Sequence, residues 1–154
     1  MPRPTSWYVA AAFALAGCVP PAEPPAETAG RRVIATEQAP PAIGPYSQAI
    51  QVGNQLFLAG QIGLDPQTRA LVEGGVGPQT HRVMQNQRAV LEAAGFSLAD
   101  VVQVQIFLAD LAEYGAVNEI YGSYFPSAPP ARATVQVARL PLDARVEIMM
   151  TAAK

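Results

Sequence analysis

The sequence predicts an α+β domain in which two helices cover one face of a sheet. Three observations carry this. Two segments, Val76 to Ala94 and Leu111 to Tyr124, repeat apolar residues at helical spacing. Several shorter segments alternate apolar and polar residues, as half-buried strands do. The order is strands, helix, strand, helix, two strands, with no internal repeat, which fits helices segregated to one face of a sheet.

The first 31 residues stand apart. Arg3 is the only charge before Glu23, and an apolar run from Trp7 to Gly17 follows it. That run is too short to span a bilayer as a mature helix, and it has the length of a signal-peptide core. Leu15-Ala16-Gly17-Cys18 resembles a bacterial lipobox, in which the cysteine is diacylated and becomes the new N-terminus. Residues 1–17 are therefore expected to be a signal segment. Cys18 is the expected lipidation site, and residues 18–31 form a Pro/Ala-rich tether with no core-forming pattern. By resemblance to lipoprotein sorting, Val19 is not the aspartate that retains such proteins in an inner membrane. The expected location is the periplasmic face of an outer membrane, with the lipid as the only membrane contact. Cleavage would remove Arg3 and lower the net charge from −2 to −3.

The folded part is expected from Arg32 to Lys154. A short strand is read at Arg32 to Thr36, and Gly44-Pro45 gives a turn. Ser47 to Val52 and Gln55 to Ala59 read as strands joined by Gly53-Asn54, a two-residue hairpin turn. Asp65-Pro66 and Gly74-Gly75 bracket a loop. In the first helix Val83, Met84, Gln87, Val90, Leu91 and Ala94 form one stripe, and Gly95 is its stop. From Val101 to Leu108, the residues Val102, Val104, Ile106 and Leu108 face one way. Asp110 and Glu113 have capping-box spacing at the start of the second helix. Its buried face is read as Tyr114, Val117, Tyr121 and Tyr124. Strands at Ala131 to Ala138 and Ala144 to Ala152 are expected to close the chain as a wide hairpin.

Composition excludes several function classes. The chain has 154 residues, enough for one domain with a core, and half of them are apolar. No lysine or arginine cluster offers a nucleic-acid footprint. One cysteine and one histidine, His81, leave almost no material for a Cys/His metal site, and no dense carboxylate cluster replaces it. No metal is expected.

The chemistry concentrates in Pro130-Ala131-Arg132-Ala133-Thr134-Val135-Gln136-Val137-Ala138-Arg139-Leu140-Pro141. On an alternating strand Arg132, Thr134 and Gln136 share one face. An arginine fixed there is a planar, permanently charged fork suited to a carboxylate. The plainer reading is an edge-strand salt-bridge arginine. Three further motifs occur in order: Ala42-Ile43-Gly44-Pro45-Tyr46-Ser47-Gln48-Ala49, Ala59-Gly60-Gln61-Ile62-Gly63 and Val117-Asn118-Glu119-Ile120-Tyr121. Together the four closely resemble the RidA family, also called YjgF or reactive intermediate deaminase proteins, across the whole folded part.

The resemblance implies a chorismate-mutase-like α+β unit that assembles as a homotrimer with ligand clefts between subunits. It implies hydrolysis of reactive enamines and imines to 2-oxoacids and ammonia, without metal or organic cofactor. Carried over by motif position, Arg132 is the carboxylate clamp, Tyr46 shapes the cleft, and Gly60 offers a backbone N–H. Asn118 matches the second-helix asparagine, which holds a neighbouring loop or reaches the cleft. There are three departures. Ala59 stands where many catalytic members have serine. Thr134 stands where cysteine or a small residue is common. The last strand reads Val146-Glu147-Ile148-Met149-Met150, so Glu147 matches the first of two acids and Met149 replaces the water-orienting glutamate.

In the expected closing hairpin Thr134 lies opposite Met149 and Gln136 opposite Glu147. Met149 then neighbours Arg132, with Glu147 roughly 7 Å further along as a substitute base. A thioether cannot accept a proton from water. Two readings follow, an imine deaminase or a trimeric binder of small carboxylates that lacks turnover. A third, ribonuclease activity assigned to some relatives, is opposed by the acidic balance and the missing catalytic histidine.

Overall fold

The computed structural model describes residues 30–154. The expected signal segment, Cys18 and nearly all of the tether lie outside the described residues. Six strands and two helices follow: β1 Arg31–Ile34, β2 Ala49–Val52, β3 Gln55–Ile62, α1 Val76–Ala93, β4 Val101–Leu108, α2 Tyr114–Tyr124, β5 Ala131–Gln136 and β6 Val146–Ala153. They form one mixed sheet in the order β1-β2-β3-β6-β4-β5.

Both helices lie on one face of this sheet. Leu58, Met150 and Val104 are paired in adjacent strands, so their side chains share a face, and all three are buried. Leu56, Ile106, Ile148 and Ala152 continue that layer. Across it pack Val83, Met84, Val90 and Leu91 of α1, with Val117 and Tyr121 of α2. Each such aliphatic side chain contributes about 1.5–3 kcal/mol on leaving water. The opposite face carries no helix, and Val33, Phe57 and Val135 are exposed on it.

Local chemistry sets the connections. Gly53 alone has positive φ in the β2–β3 turn, which fits a type II′ hairpin. Gly95, at φ +80°, ends α1. Its N–H donates to the Glu92 carbonyl at 2.9 Å, and the Phe96 N–H to the Leu91 carbonyl at 2.8 Å. That is a Schellman motif closed by the buried Phe96 ring.

Four expectations change. Val102 is exposed and Val101 buried, because the β4–β6 register shifts between Val101 and Gln103, and the bulge turns Val102 outward. Asp110 does cap, accepting from the Ala112 N–H at 2.9 Å. Glu113 does not reach back; it pairs with Arg145 at 2.8 Å. Tyr114 is exposed and Tyr124 only half-buried, so Val117 and Tyr121 alone carry the buried face of α2. Finally, β5 and β6 form no hairpin. β5 runs parallel to β4, joined through α2, and β6 inserts antiparallel between β3 and β4. A strand–helix–strand connection returns the chain parallel, as β4–α2–β5 does. β6 alternates buried and half-buried residues along its whole length, which suits a central strand.

Candidate functional site

The strand order separates the residues expected to meet. Arg132 pairs with Val104 and so points to the helix face. Glu147 pairs with Phe107 and Ile62, and Met149 with Gln105, on the open face. Within one chain, therefore, Met149 does not neighbour Arg132 or Thr134, and Gln136 does not face Glu147. Gln136 instead accepts the Leu111 N–H at 2.9 Å and ties β5 to the start of α2. The hairpin register fails because β4 stands between β5 and β6 and pairs with both.

Two half-sites result. The first surrounds Arg132. Its Nη2 donates to the Asn118 Oδ1 at 2.7 Å and to the Tyr114 hydroxyl at 3.0 Å. Its guanidinium carbon lies 4.6 Å from the centre of the Tyr121 ring. Tyr114, Asn118 and Tyr121 are spaced by four and three residues, so they line one face of α2. Asn118 thus bonds Arg132 directly rather than a neighbouring loop. Both tyrosines belong to the helix face expected to be buried, which holds for Tyr121 and not for Tyr114, and their spacing beside a strand arginine is the signal that places them here. Burial raises the pKa of the Tyr121 phenol, and the Arg132 charge opposes that rise. Thr134 follows on the same strand face, half-buried. The guanidinium is held through Nη2, while Nε and Nη1 have no hydrogen-bond partner among the described residues. Each of these can donate a single charge-assisted hydrogen bond to a carboxylate.

The second half-site is a cleft of about 420 Å³ that brings together Tyr46, Gly60 and Glu147 under Pro40, Pro41 and Leu64. Gly60 lies where the β3–β6 register shifts, between Leu58 and Gln61. The glutamate carboxyl packs directly over it, so a Cβ at Gly60 would collide with Glu147. Burial raises the pKa of Glu147, since water is missing around the charged form. A half-buried carboxyl beside a backbone turn can orient a water or pass a proton. Gln48, buried behind Tyr46, fixes the overhanging loop by donating to the Ala39 and Pro40 carbonyls at 3.2 and 2.8 Å. Sequence reasoning had no role for it. A larger groove of about 730 Å³ shares Tyr46 but none of the other expected site residues.

His81 sits on α1, exposed, with its Nδ1 3.1 Å from the Tyr124 hydroxyl. Among the described residues no group of three or more His, Cys, Asp or Glu side chains could hold a metal ion.

Comparison with known proteins agrees with the fold. Residues 36–154 match the family model described as Endoribonuclease L-PSP. A RutC family protein of Pyrococcus horikoshii is 50% identical, over 80% of this chain and 98% of that protein. The mouse protein named 2-iminobutanoate/2-iminopropanoate deaminase is 49% identical over 77% of this chain and 87% of its own length. The crystal structure of RidA from an Antarctic Psychrobacter superposes with a TM-score of 0.78 at 43% identity, covering 80% of this chain and 99% of that one. With its fold, its motifs and these relatives in agreement, the chain belongs to the RidA/YjgF family, the family of the Endoribonuclease L-PSP model.

Proposed function

We propose that this protein is an imine and enamine deaminase that releases ammonia and a 2-oxoacid. The observation that carries the reading is the clasp on Arg132. Three side chains of α2 fix a cation whose remaining donors are unused, which is what a carboxylate receptor requires. The deaminase name of the mouse relative supports the same class.

The chemistry needs only water. Arg132 holds the substrate carboxylate, while the Gly60 turn and Tyr46 shape the cleft around the imine. Glu147 orients a water and takes its proton as oxygen bonds to the imine carbon. The imine nitrogen gains that proton, giving a carbinolamine. In the collapse the hydroxyl proton passes to nitrogen, the C–O bond becomes the C=O of the 2-oxoacid, and the C–N bond breaks to release ammonia. A carboxyl with a raised pKa is a stronger base than an ordinary glutamate, and so better matched to this task near neutral pH.

Arg132 and Glu147 point to opposite faces of one sheet, so a complete cleft takes Arg132 from one copy and Tyr46, Gly60 and Glu147 from another. The exposed apolar residues on the helix-free face support self-association, and family resemblance gives a homotrimer. We also propose that Cys18 anchors the trimer in the cell envelope. Replacing Cys18 with serine should release the protein from membranes, and unchanged membrane association would refute the anchor.

One observation favours a second reading, a binder of small carboxylates without turnover. Met149 takes the position where the family has its water-orienting glutamate. The two readings separate when iminopropionate is generated in situ with an amino-acid oxidase and its loss is followed. Turnover that disappears in Arg132→Ala and falls about 10²-fold or more in Glu147→Gln supports the enzyme. No turnover except in Met149→Glu supports the binder.

A further inference from the structure

One residue of the core stripe is out of character. Gln87 lies on α1 among Val83, Met84, Val90 and Leu91, and its side chain is fully buried. Its Nε2 donates to two backbone carbonyls, Ala59 at 3.0 Å and Ile148 at 2.6 Å. Its Oε1 is buried without a partner. A buried, unsatisfied amide oxygen is destabilising, and methionine or leucine would continue the stripe without that penalty. The two carbonyls show what the amide does. They flank the point where the β3–β6 register shifts, between Leu58 and Gln61 opposite Met150 and Ile148.

The Ala59 carbonyl and the Gly60 N–H belong to one peptide group. No peptide bond among the described residues is cis. In a trans peptide the C=O and N–H point in opposite directions. Gln87 draws the Ala59 carbonyl toward α1, so the Gly60 N–H is directed away from the core, to the side where the Glu147 carboxyl packs. A donor on the carbonyl also polarises the amide and strengthens its N–H as a donor. From this geometry we infer that Gln87 is a positioning residue: it fixes the direction of the Ala59–Gly60 peptide and so presents the Gly60 N–H to ligand in the cleft. The inference rests on the reading of that cleft as the place where a 2-oxoacid or imine binds.

The test uses Gln87→Met, which keeps the volume and removes both donors, with Gln87→Leu as a second variant should the first fold poorly. The Gly60 amide resonance is followed in the ¹⁵N–¹H spectrum of the full chain, and pyruvate serves as the binding probe. The expected result is an upfield move of the Gly60 amide proton while a cooperative melt and the oligomeric mass are retained. Pyruvate affinity should fall roughly 10-fold, the loss expected for one well-placed hydrogen bond. A Gly60 resonance that superimposes on the wild type in the folded variants overturns the proposal. So does pyruvate affinity unchanged from the wild type. If the wild type neither binds pyruvate nor consumes iminopropionate, the functional reading fails by itself, and the Gly60 resonance still decides whether Gln87 orients the peptide.

Discussion

At the scale of single residues, the site depends on side chains whose surroundings set their chemistry. Glu147 is held above its usual carboxyl pKa of 4.5 by burial alone. Such a group binds its proton more tightly in the folded chain than in the unfolded one. The native state therefore loses relative stability as pH rises upward from 4.5 through the folded pKa. Glu147→Gln removes that titration. Thermal melts should show the variant gaining on the wild type as pH rises through this window, with no change in their difference below it. Equal slopes for the two proteins would mean that the carboxyl is solvated. Gly60 is constrained in a different way. Gly60→Ala places a methyl group against the Glu147 carboxyl, so the glutamate side chain must shift from its position over the turn. We expect imine turnover to be lost together with a lowered melting temperature. Turnover equal to the wild type would show that this carboxyl position is not needed. Much of this was legible in advance, since Arg132, Tyr46, Gly60 and Asn118 sit in recognisable strings. Gln87 was read only as part of a stripe. Its amide matters because of two carbonyls 28 and 61 residues away.

At the scale of elements, boundaries followed local rules. α1 begins at Val76 after two glycines and ends at the Gly95 Schellman turn. Gly95→Ala should cost about 1 kcal/mol, because a side chain at φ +80° is strained, and a denaturant midpoint shift at constant m-value would measure it. Asp110→Ala removes the acceptor for the Ala112 N–H and should cost about 1 kcal/mol by the same measurement. The Glu113 half of the expected capping box failed for a tertiary reason. Arg145, 32 residues away, offers the carboxylate a bidentate guanidinium, and a charged partner outcompetes a backbone N–H. The bulge at Val102 is likewise invisible in an alternating pattern, since one inserted residue swaps the faces on either side of it.

At the scale of the whole molecule, sheet order decides which groups can meet. With Arg132 paired to Val104 on the helix face and Glu147 to Phe107 on the open face, one chain presents the two on opposite faces. A cleft containing both must join copies. The exposed Val33, Phe57 and Val135 give the helix-free face an apolar character suited to that contact. If the proposed trimer and deaminase activity hold, Val135→Glu should lower the mass seen by analytical ultracentrifugation from trimer to monomer and remove imine turnover with it. A trimer of unchanged mass would show that the helix-free face is not the contact.

The sequence by itself determined the α+β class, the ends of α1, the span of β4 and the strand that carries Arg132. Those features are set by periodicity, by turn chemistry and by residues close together in the chain. Only the tertiary structure decided that β5 lies parallel to β4, that β6 is central, and that Met149 and Arg132 face opposite ways. Strand pairing is a competition among all strands for the same hydrogen-bonding edges. Its outcome depends on the α2 crossover and on which strand can be buried on the helix face, and neither is written in the residues of β5 or β6 alone.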